Sequence, residues 1–288
     1  MNIFWILLVL VAVLLLWNGI ENHIFTVHYY KVEDNKIPKA FQGCRLLYLV
    51  DLHNTTYGRY NERLKRAIEK QNPDYVLVGG DFLSRSCRDF DAAIDLLVFL
   101  SQRYPTYFVN GNHETRMKVH DQMYHNVYSD FMTMAKGLSC QFLSNESMVL
   151  EREEGQIVLD GLELPEEYFK KRDFRTLPLK DMTKALGRCD ASRYHILLAH
   201  SPNYFDTYAR WGADLTLCGH NHGGMARIPF IGGVLSPQVG FFPKYTKGCY
   251  QKDGKKMIVS AGLGSHTIKV RYFNPPELLV ITLDKQKF

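Results

Sequence analysis

The chain has no Cys-x-x-Cys pair, no low-complexity stretch, no Gly/Ser-rich linker and no concentrated basic stripe. Each absence removes a class of protein. Six cysteines (Cys44, Cys87, Cys140, Cys189, Cys218 and Cys249) spread over 288 residues are too sparse for a disulfide scaffold and wrongly spaced for a zinc ribbon. Buried free thiols in a reducing compartment are the expectation that remains. With 46% hydrophobic and 23% charged residues, the fibrous and disordered classes are excluded and a large core can form. Lys plus Arg number 35 against 30 for Asp plus Glu, a formal excess of +5. That mild surplus suits an anionic substrate or a lipid surface, and no nucleic-acid partner is expected.

Nor does any Lys or Arg precede the one long apolar run. Residues 3–17 (IFWILLVLVAVLLLW) are uninterrupted, and the run fades through Asn18, Gly19 and Ile20. About 18 residues suffice for a helix across a hydrocarbon layer roughly 30 Å thick. A cleaved signal peptide needs a basic start and small residues at the cut, and Trp17-Asn18-Gly19-Ile20 is a poor site. The competing reading is a buried core helix, but no polar face interrupts the run. The expectation is a single-pass membrane anchor over residues 1–20, a linker and lead-in over 21–44, and one domain over 45–288. Lys31, Lys36 and Lys39 follow the anchor, which by the positive-inside rule puts the body on the cytoplasmic face of the cell membrane. The unpaired cysteines agree.

In the body, short apolar runs alternate with helical patterns. Strands are expected at 45–50, 75–78, 106–109, 147–150, 156–159, 195–199, 215–217, 257–260 and 278–283. Helices are expected near 60–71, 90–102, 120–136 and 204–211, with Gly212 as the cap of the last. The charged stretch 165–186 reads as partly helical. Strand-then-helix repetition implies βαβ units, an α/β class and a largely parallel or mixed sheet.

Five of the apolar runs lead directly to metal-ligand residue types. LYLV leads to Asp51 and His53, YVLVGG to Asp81, YFVNG to Asn112 and His113, ILLA to His200, and LTLCG to His220 and His222. The first three blocks recur about every thirty residues, the length of one βα repeat, which delivers them to one sheet edge. Five of the eleven histidines fall in these blocks. Alone, each block has a plain explanation: Asp51 as a cap, Gly79-Gly80-Asp81 as a turn, Gly111-Asn112-His113-Glu114 as a helix start, His200 as a core histidine. Together and in this order they describe one shared site.

The sequence DLH, GD, GNHE, AH and GHNHGG resembles the calcineurin-like metallophosphoesterase superfamily over roughly residues 45 to 283. GHNHGG, Gly262-Leu263-Gly264-Ser265, Arg271 and Pro276-Glu277 resemble its membrane-anchored bacterial branch, which includes UDP-diacylglucosamine pyrophosphatase-like enzymes. The resemblance implies a four-layer α/β/β/α sandwich of two mixed sheets and a centre of two divalent ions. One ion would take Asp51, His53, His222 and the shared Asp81; the other Asp81, Asn112, His200 and His220. His113 would face the scissile phosphate as the catalytic group.

Elementary chemistry agrees with that implication. Two close divalent ions need a bridging carboxylate, and with Asp51 and Asp81 as the anionic ligands they keep a formal surplus of about +2. The surplus attracts phosphate and lowers the pKa of a bridging water, whose hydroxide can attack in line. Nitrogen and oxygen donors suit Mn first, with Fe or Zn next. The expected activity is hydrolysis of a phosphodiester or pyrophosphate bond, in a diester or nucleotide-lipid rather than in a protein. A nuclease, a protein phosphatase or a non-catalytic scaffold on the same fold are the alternatives. Arg85, Lys269 and Arg271 are candidate substrate-binding residues, the last two for a second phosphate. The apolar segment 228–245 is either a buried loop under the site or a lip that faces the bilayer.

Overall fold

Period-two alternation within the strands decides the layering. In β2 (Cys44–Leu49), Leu47 and Leu49 pack on one side of the sheet while Leu46 and Tyr48 pack on the other. Both faces are apolar, so both must be covered. In the computed structural model, which describes residues 3–173, 175–238, 240–265 and 269–286, two six-stranded sheets meet face to face.

The first sheet runs β1 (Thr26–Asp34), β14 (Glu277–Lys285), β2, β3 (Tyr75–Val78), β4 (Thr106–Phe108), β5 (Cys140–Phe142). From β2 to β5 the strands are parallel; β14 is antiparallel to β2 and parallel to β1. The second runs β12 (Gly248–Lys252), β13 (Lys255–Val259), β9 (Leu215–Cys218), β8 (Tyr194–Ala199), β7 (Gly155–Leu162), β6 (Glu146–Arg152). Its four central strands are parallel and its two edges antiparallel. Leu46, Leu77 and Leu279 of one sheet meet Leu159, Ile196 and Leu217 of the other in the central core.

The outer faces are closed by helices. Leu64 and Ile68 of α2 (Glu62–Gln71), Leu96 and Leu100 of α3 (Asp91–Ser101), Met117 of α4 (Asn112–Val119) and Phe131 of α5 (Val127–Ala135) cover the first sheet. Met182 of α6 (Leu179–Leu186) with Phe205, Tyr208 and Trp211 of α7 (Phe205–Trp211) cover the second. The result is a helix, sheet, sheet, helix sandwich of mixed sheets. A small ribbon, β10 (Arg227–Ile228) with β11 (Gly232–Gly233), stands apart from both.

Three expectations are corrected. Residues 26–34, expected within a linker, form the edge strand β1, because they pair with β14 over nine positions. The helix expected over 120–136 begins only at Val127, and the helix that the Gly111–Glu114 motif opens, α4, runs separately from Asn112 to Val119. All six cysteines are free, but only Cys44 and Cys218 are buried.

Helix α1 (Ile3–His23) has 21 residues, about 32 Å at 1.5 Å per residue. None of its most apolar stretch is covered by the other described residues, unlike a core helix. Its last turns, in contrast, are fastened to the body. Asn18 donates to the Lys269 carbonyl (3.0 Å) and accepts from the Arg271 N–H (2.8 Å). Ser265 donates to Asn22, buried Glu21 accepts from the Asn274 N–H, and Trp17 lies 5.9 Å from the Phe273 ring.

Candidate metal centre

All eight motif residues fall just beyond the C-terminal ends of parallel strands. Asp51 and His53 follow β2, Asp81 follows β3, Asn112 and His113 open α4 after β4, His200 follows β8, and His220 and His222 follow β9. Because β2–β3–β4 and β9–β8 are the facing centres of the two sheets, the two sets converge on one edge. All are buried, with exposures of 8% or less.

The backbone is contorted to bring them there. Asp51, His53, Asp81, His220 and His222 all have positive φ, between 46° and 65°. Each such residue costs on the order of 1–3 kcal/mol, strain that collects where side-chain aim outranks stability. Glycines clear the remaining space: a Cβ on Gly111 would meet Asp81 Oδ1 at 2.3 Å, and one on Gly80, itself at φ +90°, would meet the Gly111 nitrogen at 2.2 Å.

Side chains cluster in three overlapping buried triads: Asp51 with His53 and His222, His53 with Asp81 and His113, and Asp81 with His200 and His220. Within each, one ligand atom per residue lies within 4.8 Å of the others. His53 Nε2 and His222 Nε2 approach to 3.1 Å. Asp81 touches both halves: its Oδ2 is 3.2 Å from His200 Nε2 and 3.7 Å from His53 Nε2, while Oδ1 accepts the His113 N–H at 2.8 Å. His200 Nδ1 lies 2.8 Å from the Gly79 carbonyl, which turns Nε2 towards the carboxylates; His222 Nδ1 is held likewise by the Gly264 carbonyl at 3.1 Å. The His220 N–H donates to Asp51 at 3.0 Å.

Glu114 fixes the Asp81 loop. Its carboxylate accepts the N–H groups of Asp81 (2.8 Å), Leu83 (2.8 Å) and Gly111 (3.0 Å), tying the strand ends of β3 and β4 together. Burial, with the Asp81 charge adding to it, raises Glu114 to about 8. Burial likewise pushes Asp51 up to about 7, against the pull of His200. In Asp81 burial is outweighed by His200, His113 and His53, which hold it well below the usual carboxylate range. Burial disfavours a charged His200, yet Asp81 beside it carries its pKa up to about 10. A buried carboxylate pair among imidazoles calls for positive charge, whether a proton on His200 or bound cations.

The donor set fits divalent metal. It is all nitrogen and oxygen, and Asn112 Oδ1 is buried with no hydrogen-bond partner among the described residues, as a carbonyl ligand awaiting a cation would be. Cys218 takes no part; it is core, with Sγ 3.7 Å from the Ser201 carbonyl.

The three candidate substrate residues separate. Arg85 lines a cavity of about 240 Å³ that also reaches Asn112 and His220. Lys269 is exposed beside the end of α1, outside that cavity. Arg271 is 1% exposed and spends its guanidinium on the carbonyls of Ala261, Gly264 and Asn274. That is the geometry of a brace, and it corrects the expectation that Arg271 reaches a phosphate. Sequence reading missed Glu114, whose GNHE context read as an ordinary first turn. It also missed Arg116, Phe169, Lys170 and Lys171, which follow no recognisable spacing.

A model of the calcineurin-like phosphoesterase family matches residues 45–224, and the chain belongs to that family. It is 27% identical over 269 residues to the metallophosphoesterase YkuE of Bacillus subtilis, spanning 92% of this chain and 87% of that protein. It is 26% identical over 234 residues to phosphodiesterase YaeI of Escherichia coli, 77% of this chain and 75% of that one. A Danio rerio transmembrane protein with a metallophosphoesterase domain is 26% identical over 257 residues, 86% of this chain and 55% of its own length. The protein is a metal-dependent phosphoester hydrolase.

Proposed function

We propose that the chain is a membrane-anchored hydrolase of phosphodiester or pyrophosphate bonds, acting on a lipid-linked nucleotide at a centre of two divalent ions, Mn by preference. The observation that carries this reading is the chain of overlapping buried triads, with Asp81 Oδ2 between His53 and His200. Asp51, His53 and His222 would hold one ion, Asn112, His200 and His220 the other, and Asp81 would serve both. Bound there, the ions would supply Lewis-acid polarisation of the phosphoryl oxygens and activation of water.

The chain's own residues supply the rest. The Arg85 N–H points at His113 Nδ1 from 3.2 Å, so the neutral ring accepts there and carries its proton on Nε2. Nε2–H is then the donor for a phosphoryl or leaving oxygen, a role typically contributing about 10²–10⁴-fold in rate. Glu114 holds the loop that aims Asp81, and Gly264 orients His222.

Anchoring is supported by the bare apolar helix α1 and by the name of the Danio rerio relative. Lys31, Lys36 and Lys39 support a cytoplasmic body. The bilayer-facing lip is supported by Phe230, Ile231, Phe241 and Phe242, all strongly exposed; Val239 of the same segment lies outside the described residues. The deciding experiment is hydrolysis of bis(p-nitrophenyl) phosphate and of nucleotide lipids by the full-length protein in detergent, with and without Mn²⁺. Metal-dependent turnover of either supports the reading, and no turnover of any phosphoester with any divalent metal rejects it.

A further inference from the structure

The apolar run of α1 gives way to three polar residues, Asn18, Glu21 and Asn22. Spaced three and four apart, they share one face of the helix. A simple tether needs no such face, and it needs slack. Here only Ile24 and Phe25 separate α1 from β1, and Glu21 is 5% exposed, a carboxylate withdrawn from water at the end of an apolar helix.

Two hydrogen-bonded routes run from that face to His222. In the first, Asn18 Oδ1 accepts the Arg271 N–H (2.8 Å) and Asn22 Oδ1 accepts the Ser265 hydroxyl (2.5 Å). Ser265 Oγ also accepts from Arg271 Nε (3.2 Å). Arg271 Nη2 then donates to the Gly264 carbonyl (2.5 Å), the same carbonyl that faces His222 Nδ1. In the second route, Glu21 accepts the Asn274 N–H (3.3 Å), and the Asn274 side-chain amide donates to the carbonyls of His222 (2.6 Å) and Met225 (2.9 Å). The fit there is tight: a Cβ on Gly223 would stand 2.1 Å from Asn274 Oδ1. The Gly264 N–H also bonds the Asp51 carbonyl at 2.5 Å. Both routes therefore end on the triad of Asp51, His53 and His222.

These contacts bear on metal affinity. His222 sits at φ 46°, a strained backbone that persists only where its surroundings hold it. The bond made by the second nitrogen of a ligand imidazole aims the first, and such partners are typically worth about 10–100-fold in metal affinity. We infer that the anchor is a working part of the metal centre: Asn18, Glu21 and Asn22 are positioning residues for His222, so the ion assigned to Asp51, His53 and His222 binds tightly only while the end of α1 is docked on Ser265, Arg271 and Asn274. The inference rests on the two-ion reading above and adds a regulation to it. A chain whose anchor has not docked holds that ion weakly, which couples loading of the centre to seating of the helix.

Two measurements on the full-length protein in detergent test it. In the first, calorimetry follows Mn²⁺ binding. Asn18→Leu/Asn22→Leu should weaken one of two ions about tenfold and leave the other within about twofold. Asn18→Asp/Asn22→Asp keeps both acceptor oxygens and should restore the lost affinity. Ile20→Ala, exposed on the same turns, should change neither ion. In the second, hydrogen exchange on the metal-free proteins should be faster over residues 219–225 in the leucine variant and unchanged over 196–200. Should the leucine pair fail to fold, Asn22→Leu alone must still weaken the same ion. Unmoved Mn²⁺ affinities, equal weakening of both ions, or unchanged exchange over 219–225 overturns the inference. Failure of the two-ion reading looks different: the wild type then binds fewer than two Mn²⁺, while the exchange comparison still decides whether the anchor positions His222.

Discussion

His53 Nε2 and His222 Nε2 stand 3.1 Å apart in the buried site, although 169 residues separate them in the chain. Two imidazole nitrogens brought that close must share a proton or a cation. Metal should therefore stabilise the fold. At a free-ion concentration 100 times Kd the gain is about 2.7 kcal/mol per site, so Mn²⁺ should raise Tm and a chelator should lower it. Asp81→Ala should abolish both the metal-dependent shift and hydrolysis. Near-normal turnover by that variant would refute the two-ion proposal.

His113 should behave differently. His113→Ala should keep its metal content, measured by plasma mass spectrometry, while kcat falls about 10²–10⁴-fold. Loss of bound metal in this variant would make His113 a ligand instead of a proton donor.

Arg271→Met tests the brace. It leaves buried carbonyls at Ala261, Gly264 and Asn274 without their donor, a cost of about 1–3 kcal/mol or more for groups of this kind. Thermal unfolding should show a Tm several degrees lower. An unchanged Tm with a raised KM would restore the phosphate contact expected from the sequence.

His195 gives the fold a pH dependence away from the metal site. Burial works against its charge, but Asp160, 2.8 Å from Nδ1, and the Cys189 thiol outweigh it and raise its pKa to about 10. A histidine raised in the folded state stabilises below its unfolded value, near 6.5, and that contribution is lost as pH rises through the folded value. Stability of the wild type should fall between pH 7 and 10, and Asp160→Asn should flatten the slope. An identical profile in the two proteins removes the pair as its cause.

The exposed apolar lip is checked kinetically. Phe241→Ser with Phe242→Ser should raise KM for lipid-linked substrates far more than for a soluble chromogenic diester. Equal effects on both would reject contact with lipid.

The α/β alternation and the convergence of the motif residues on one edge were legible because each motif ends an apolar run: Asp51 after LYLV, Asp81 after YVLVGG, His200 after ILLA. Parallel strands then carry all of them to one edge. The two-sheet sandwich was implied only by the family resemblance. What stayed hidden depends on contacts between distant segments. Arg271 reads in the sequence as a candidate phosphate contact, and only the carbonyls of Ala261, Gly264 and Asn274 around its guanidinium show where it points. Edge strand β1 was missed because its sequence, TVHYYKVED, lacks a continuous apolar run; it is half-buried and held mainly through its register with β14. Lys170 and Lys171 follow no periodic pattern, and only the fold brings them to the cavity that reaches His220.

The turns of α1 around Asn18, Glu21 and Asn22 are bonded to Ser265, Arg271 and Asn274, and Arg271 in turn bonds Ser265 and Asn274. A helix mounted this way is a rigid strut, not a tether. Set in a bilayer, it would hold the reaction centre at one height and one tilt, so the enzyme would search for substrate by drifting sideways through a thin sheet of headgroups and would leave anything deeper in the water untouched.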